Sequence, residues 1–389
     1  MKKKMFYFAA LVAASAAFTG CSSDDDLSAA QPAVSKGYPM YVSASAGDET
    51  RGKDLTGDTF GAFTMYSTIP TTKNSKWATG IAFGKSDGSW SAGTEDVSFP
   101  NTNTYTFYGV SDAGNIVKEN NNPVIGSVTP ESFNFTYQIP TDYAAQKDLL
   151  VGKTTGSGSD GKVNFKGDNK FTHALALVSK VSIRANVTKI AELLDMDASD
   201  LTTAYEYKVG GSMAICGAMT QGKYTFGTTT TTTGWTDLSN AGEFNIPISA
   251  SAFHNFNDDW YEIPFSEGDD GLYLLPQTFD GELADNGDGS YTLTGAYIKV
   301  DLQVYNKVDG SYSLHKWSPS GGSSAGGTSD SDEDSEENGF RPFYVPLSFE
   351  IEPNKTYAIR IDLTRGVYLS NEDQTTLYPL FDGMDVVIN

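Results

Sequence analysis

Apolar and polar residues alternate with a period of two along most of this chain. In "YIKVDLQVY", Ile298, Val300, Leu302 and Val304 stand opposite Lys299, Asp301 and Gln303. In "TYAIRIDL", Tyr357, Ile359, Ile361 and Leu363 stand opposite Ala358, Arg360 and Asp362. Each pattern predicts a half-buried strand with one wet face. Near the start, "GYPMYVSASAGDETRGKD" predicts a strand from Tyr38 to Ala46, with Met40, Val42 and Ala44 alternating against Tyr41, Ser43 and Ser45. Further strands are expected at "FGAFTMYST" (Phe60–Thr68) and "TYTFYGV" (Thr104–Val110), with "KSDGS" and "NNNP" as turn signals between such segments. The longest apolar run, "FTHALALVSKVSIRANV" (Phe171–Val187), reads as one strand buried on both sides, with Leu175, Leu177, Val181, Ile183 and Val187 on one face. The first half holds no convincing run of helical period, and one short helix is expected at "KIAELLDM" (Lys189–Met196).

Strands recurring at this spacing without intervening helices predict an all-β fold of two β-sandwich domains, residues 38–175 and 176–389, joined within that apolar run. Two segments are of low complexity. The threonine run between Gly227 and Trp235 is expected to form a hairpin or edge loop. Residues 318–339 mix Gly and Ser with six acidic residues and are expected to interrupt the second domain as a disordered acidic surface loop.

The N-terminus changes the picture from fold to destination. Lys2, Lys3 and Lys4 precede the apolar stretch "MFYFAALVAASAAF", and "FTGC" places Gly20 and Cys21 as the small residue and acylated cysteine of a lipobox, with Phe18 where an aliphatic residue is usual. Residues 1–20 therefore read as a lipoprotein signal peptide, Cys21 as the lipidation site, and residues 21–37, acidic and proline-containing, as a flexible leader. Nothing later in the chain is apolar enough to span a membrane, so the lipid is the expected anchor. With Cys21 lipidated, the second cysteine, Cys216, has no disulfide partner, and its apolar neighbours in "SMAICGAMT" make it a small core residue. The chain has 389 residues and a formal net charge of −22, which repels nucleic acid and anionic lipid surfaces alike and excludes both as partners.

The residues give little support to catalysis. His173, His254 and His315 show no metal-ligand spacing, and His173 reads as a satisfied core histidine. The two GxSxG matches, "GKSDG" (Gly84–Gly88) and "GSSAG" (Gly322–Gly326), lack the strand–elbow–helix context of a nucleophile and read as turns. "ADNGDGSYT" and "SDSDEDSEE" are carboxylate-rich, yet the first lacks an acid at the opening position of a calcium loop and the second is a plain acidic run. "NDDWYEIPF" joins aromatic and acidic residues as carbohydrate-binding loops do, although a buried Trp and Tyr explain it as well. No enzyme activity, cofactor or metal is expected.

Taken in order, the lipobox with "CSSDDD", the strand ending in "TRG", then "FGAFTMYST", "TYTFYGV", "YQIPTDYAAQKDLLVGKT", "FTHALALVSKVSI", "LYLLPQTF" and "NKTYAIRIDL" resemble the fimbrillin family. These are the type V pilins and Mfa-like fimbrial lipoproteins of Gram-negative anaerobes. The resemblance runs from about residue 18 to residue 364. It implies transthyretin-like sandwich domains and a lipidated precursor at the outer membrane that becomes part of a cell-surface fimbrium. It also implies an arginine-specific protease that removes the leader with the first strand, other fimbrial subunits as partners by strand insertion, and a host or bacterial surface ligand. On that pattern Arg51 and Gly52 flank the processed bond, with Lys53 a poorer alternative, and Met40, Val42 and Ala44 belong to the removable strand. The chain departs from stalk subunits at "YPLFDGMDVVIN", where Val386–Ile388 is a last core strand or a very short donor, as suits a tip or accessory pilin. The competing expectation is a surface lipoprotein that binds a glycan or host ligand and never polymerises.

Overall fold

The computed structural model describes residues 37–46, 60–72, 74–95, 97–185, 187–188, 191, 196–229, 232–246, 252–257, 259–263, 265, 271–285, 291–314, 341–362, 366–370, 381–382 and 386–388. In chain order the strands begin β1 (Tyr38–Pro39), β2 (Tyr41–Ala44), β3 (Ala62–Ser67), β4 (Ile81–Ser86), β5 (Ser89–Ser91), β6 (Ser98–Phe99) and β7 (Thr104–Val110). The hairpin β8 (Lys118–Glu119) and β9 (Asn122–Pro123) follows, then β10 (Phe133–Gln138), β11 (Leu150–Ser157), β12 (Lys162–Phe165) and β13 (Thr172–His173). The turn signals act as read. Asp87 and Gly88 close β4–β5 with φ of 50° and 77°, and Asn120 and Asn121 close β8–β9 with φ of 50° and 65°, the positive values that two-residue hairpins need.

The later part supplies β14 (Ala176–Arg184), helix α1 (Ala198–Ala204), β15 (Tyr205–Phe226), β16 (Gly234–Ile246), β17 (His254–Asn255), β18 (Tyr261–Ile263), β19 (Leu272–Leu274), β20 (Gln277–Thr278), β21 (Glu282–Asp285) and β22 (Tyr291–Thr294). Then come β23 (Tyr297–Val308), β24 (Ser311–Leu314), β25 (Arg341–Pro346), β26 (Glu350–Ile351), β27 (Thr356–Asp362), β28 (Gly366–Ser370), β29 (Phe381–Asp382) and β30 (Val386–Ile388). The fold is all-β, and α1 is a short interruption whose cap, Asp197, accepts from the Ser199 N–H. The helix expected at 189–196 falls mostly outside the described residues, of which Val187, Thr188 and Ala191 are helical.

Three large sheets carry the architecture. The first runs β2-β12-β11-β7-β3-β4-β5, with β13 also on β11. The second runs β10-β15-β23-β25-β29, with β16 and β17 on β15 and β24 on β23. The third runs β18-β14-β27-β28, with β19 on β14. Alternation decides which side of each strand is dry. Ile298, Val300, Leu302 and Val304 of β23 are all buried, as are Tyr357, Ile359 and Ile361 of β27; Leu363 lies outside the described residues. The last described strand, β30, lies parallel on β22 within its own chain. The threonine run spans the connection between β15 and β16, which pair antiparallel as a long hairpin.

The apolar run 171–187 is not one strand. It is β13 in the first sheet and β14 in the third, because the chain changes partners at Ala174–Leu175. The Ala174 N–H donates to the Leu149 carbonyl at 2.8 Å, whereas the Leu175 carbonyl accepts from Asn354 at 3.0 Å. Burial on both faces holds for Ala176–Val178 and gives way to alternation, with Lys180 exposed. The strands of the second sheet include β10, from earlier in the chain, so its core draws on residues from Tyr66 to Ile361.

A second, smaller core lies inside the first sheet and is dominated by rings: Phe60, Phe63, Phe83, Phe107, Phe165 and Phe171, with Trp77. Phe171 is its keystone. Gly109 of β7 and Gly152 of β11 are directly opposite one another. A Cβ on Gly109 would stand 2.3 Å from the Phe171 ring, and one on Gly152 would stand 3.3 Å from it. Two strand glycines thus leave a flat bed on which one aromatic ring lies, and Phe60, Phe63 and Phe165 pack around it with centroids 4.8 to 5.0 Å away. Phe171→Ala is expected to cost about 3–5 kcal/mol and Gly109→Val about 1–3 kcal/mol in urea unfolding. In the double variant the valine occupies space the ring has vacated, so the measured loss should be clearly smaller than the sum.

Candidate functional site

The first strand closes this aromatic core. β1 pairs antiparallel with β6, setting Tyr38 opposite Phe99. β2 lies parallel on β12, with Val42 opposite Val163 and Ala44 opposite Phe165. The Tyr41 N–H donates to the Gly161 carbonyl at 2.7 Å and the Ser45 N–H to the Phe165 carbonyl at 3.0 Å. Ala46 bridges Phe171, whose own N–H donates back to the Ser45 carbonyl at 3.0 Å. Tight backbone approaches explain two glycines here: a Cβ on Gly37 would meet Ser98 Oγ at 2.4 Å, and Gly161, at φ 66°, lies under the Pro39 carbonyl.

Side chains follow the period of two. Ala44 and Ala46 are 9% and 5% exposed within the aromatic core, and Met40 and Val42 pack against it half-buried. Tyr41 points away and is 67% exposed. On the outer face Ser43 donates to the Asn164 carboxamide oxygen at 2.8 Å. β2 is therefore a sheet edge whose even-numbered residues plug a ring-lined groove. The plug narrows from Met40 to Ala46.

Arg51, Gly52 and Lys53 lie outside the described residues, in the stretch 47–59. The residues that bracket this stretch both meet Phe171: Ala46 forms a backbone bridge to it, and the Phe60 ring lies 4.8 Å from its ring. Cys21, the leader, His315, the acidic run 318–339 and the "GSSAG" match lie outside the described residues too.

The other singled-out groups fall elsewhere. His173 is buried, and its Nδ1 contacts a carboxylate oxygen of buried Asp148, each side chain 6% exposed. The second Asp148 oxygen is buried without a partner. Nearby, Asp112 accepts from Tyr137 Oη at 2.9 Å and Asn115 Nδ2 at 2.6 Å, and burial, helped by Asp112, holds the Tyr137 hydroxyl well above its ordinary pKa. His254 packs on Tyr207 and Tyr261, and burial lowers its pKa. Cys216 is buried in β15, its thiol pushed up to about 11 by burial first and by Glu243 second. Ser86 of "GKSDG" ends β4 at a hairpin turn. Trp260 has the guanidiniums of Arg184 and Arg360 at 4.4 and 5.6 Å. The sequence reading missed Phe171, Gly109 and Gly152 as parts of the groove. Glycines in mid-strand, in "FYGV" and "LVGK", were the available signal, since a strand spends a glycine only where something approaches closely.

Comparison with known proteins adds little. No family model and no curated protein matches the chain. Among solved structures, a Bacteroides uniformis protein provisionally assigned to cell adhesion is similar over 90% of this chain and 99% of its own, at 14% identity and a TM-score of 0.38.

Two outcomes check the polar geometry. His173→Leu leaves a buried carboxylate without its partner and should cost about 1–3 kcal/mol, whereas replacing both partners with His173→Leu and Asp148→Leu should cost clearly less than the two single variants together, measured by denaturant unfolding as a double-mutant cycle. Because its thiol titrates near 11, Cys216 should resist iodoacetamide in the folded protein at pH 8 and react fully in urea.

Proposed function

We propose that this chain is a structural subunit of cell-surface fimbriae, exported as a lipoprotein, cut after Arg51, and assembled when a strand from another subunit replaces its own first strand. The observation that carries this reading is the position of β2. It is an edge strand, reached through a stretch that contains an arginine, and its alternate side chains plug an aromatic core. A plug of this kind is separable in a way that an interior strand is not, because β2 is paired on one side only and removing residues 38–46 breaks only short pairings, β2 on β12, β1 on β6 and the Ala46–Phe171 bridge. Its removal also creates a state that soluble proteins avoid, an unpaired edge above exposed rings. An incoming extended segment with apolar residues at alternate positions restores both the ladder and the plug.

The same geometry defines what the protease must do. Cutting between Ala46 and Phe60 leaves residues 38–46 held by hydrogen bonds and four side chains alone, of which only Met40 and Val42 are larger than alanine. Full burial of such side chains is worth roughly 1.5–3 kcal/mol each. The half-burial of these two gives less, so the cut strand is retained weakly enough to be exchanged. The lipid at Cys21 leaves with it, and the subunit passes from membrane anchor to fibre. No catalytic residue or cofactor is needed in the subunit.

Arg51→Ala in the producing organism should keep the chain at its acylated Cys21 end and out of the fibre, read by intact mass and by loss of an SDS-resistant ladder in unboiled samples. The unaltered chain should begin at Gly52 within such a ladder. A natural chain that still begins at Cys21 and runs as a monomer contradicts the proposal and leaves a surface lipoprotein that binds without polymerising.

A further inference from the structure

A cleft of about 410 Å³ lies between the 3-10 turn Tyr143–Ala145 and edge strand β16, lined by Thr141, Asp142, Tyr143, Glu243 and Asn245. None of these residues belongs to the first sheet, so the cleft is independent of the strand-exchange reading. We infer that it binds a neutral saccharide.

The cleft is built in advance rather than formed by loose loops. Gly242 lets the 141–143 segment settle on β16, because a Cβ there would stand 2.5 Å from the Thr220 methyl and 3.0 Å from that of Thr141. Asp142 caps the turn by accepting from the Ala144 N–H at 3.1 Å. Gln146 then locks the segment to the third sheet. Its Nε2 donates to the Pro140 carbonyl at 2.9 Å and the Tyr273 carbonyl at 3.1 Å, and its Oε1 accepts from the Tyr273 N–H at 2.9 Å. A rigid wall spares a ligand the cost of ordering it.

The lining selects the ligand. Along β16 the buried Phe244 and Ile246 alternate with exposed Glu243 and Asn245, whose side chains make no hydrogen bond among the described residues. Asp142 spends one carboxylate oxygen on its cap and keeps the other. The cleft therefore presents two carboxylates, an amide and two hydroxyls to whatever enters, and its lining has no cation. Such a set accepts hydrogen bonds from hydroxyl groups and repels carboxylated, sulfated or phosphorylated ligands, more so on a chain of net charge −22. Half-buried Tyr143 adds one aromatic wall, against which the C–H face of a pyranose can lie. The volume falls in the range of small-ligand sites, roughly 300–1,000 Å³. Hydroxyl donors with one apolar face, no charge and this size describe a sugar end group. The aromatic–acidic motif at Trp260, which drew attention in the sequence, is less suited, because two guanidiniums already stand over that ring.

The test is saturation-transfer NMR on the full chain with galactose, N-acetylgalactosamine, N-acetylglucosamine, mannose and fucose, and with N-acetylneuraminic acid as the charged comparison. At least one neutral sugar should bind saturably. Glu243→Ala and Asn245→Ala should each weaken it about tenfold, one hydrogen bond's worth. Both positions are exposed, so the variants should melt like the parent, and Trp260→Ala should bind as the parent does. The proposal is overturned if no neutral sugar binds, if N-acetylneuraminic acid binds better, or if both cleft variants bind unchanged. It is equally overturned if binding is lost in Trp260→Ala, or if calcium chloride alone occupies the cleft and no sugar does.

Discussion

The contact on which the rest depends is the Phe171 ring lying across Gly109 and Gly152. It fills the first sheet from inside, it packs against Phe60 just before β3 and Phe165 at the end of β12, and its backbone holds the end of the first strand through Ser45 and Ala46. Two residues later His173 meets Asp148, and within three more the chain has entered the third sheet. One short segment therefore ties together the first strand, the aromatic core and the larger core beyond. Glycine at 109 and 152 is the sequence-level condition for all of it, since any side chain there would displace the ring.

From that constraint follows a division of labour between two cores. The smaller core is ring-rich and closed on one side by an edge strand with modest side chains; the larger is aliphatic as well as aromatic and is sealed by long strands such as β15 and β23. Long ladders seal the larger core, whereas the first strand is held by two short pairings, β1 on β6 and β2 on β12, with four side chains completing the packing, and short ladders open at lower free-energy cost. The cleft lies on β16 of the second sheet, so on the proposed reading saccharide binding and assembly would draw on different sheets. This is a physical reason why cutting the leader need not disturb recognition.

Much of this was legible in the chain itself. Alternation found β2, β23 and β27 because each has one wet face, β3 and β7 showed as aromatic-rich segments between turn signals although both are largely buried on both faces, and the Asp-Gly and Asn-Asn signals found their turns because positive φ leaves few residue choices. The apolar run 171–187 misled because periodicity is silent once both faces are buried: nothing in "THALALV" marks where hydrogen bonding passes from Leu149 to Asn354. The cleft was equally hidden. Thr141, Asp142 and Tyr143 lie about a hundred residues from Glu243 and Asn245, and only Gly242, one glycine among many, connects them. Arg51 was read from its surroundings and from resemblance, not from its own contacts.

The central claim is that β1 and β2 are a removable plug on the ring-lined groove, and the Phe171 amide reports it directly, because its acceptor is the Ser45 carbonyl of that plug. We would follow hydrogen exchange at Phe171 in the intact protein, after cleavage at Arg51, and after adding to the cut protein an extended peptide with apolar residues at alternate positions. The account predicts strong protection, then its loss, then its return as the added strand takes the place of residues 38–46. Protection that persists after cleavage in a protein that stays monomeric would mean the first strand is a permanent part of the fold, and would contradict the account.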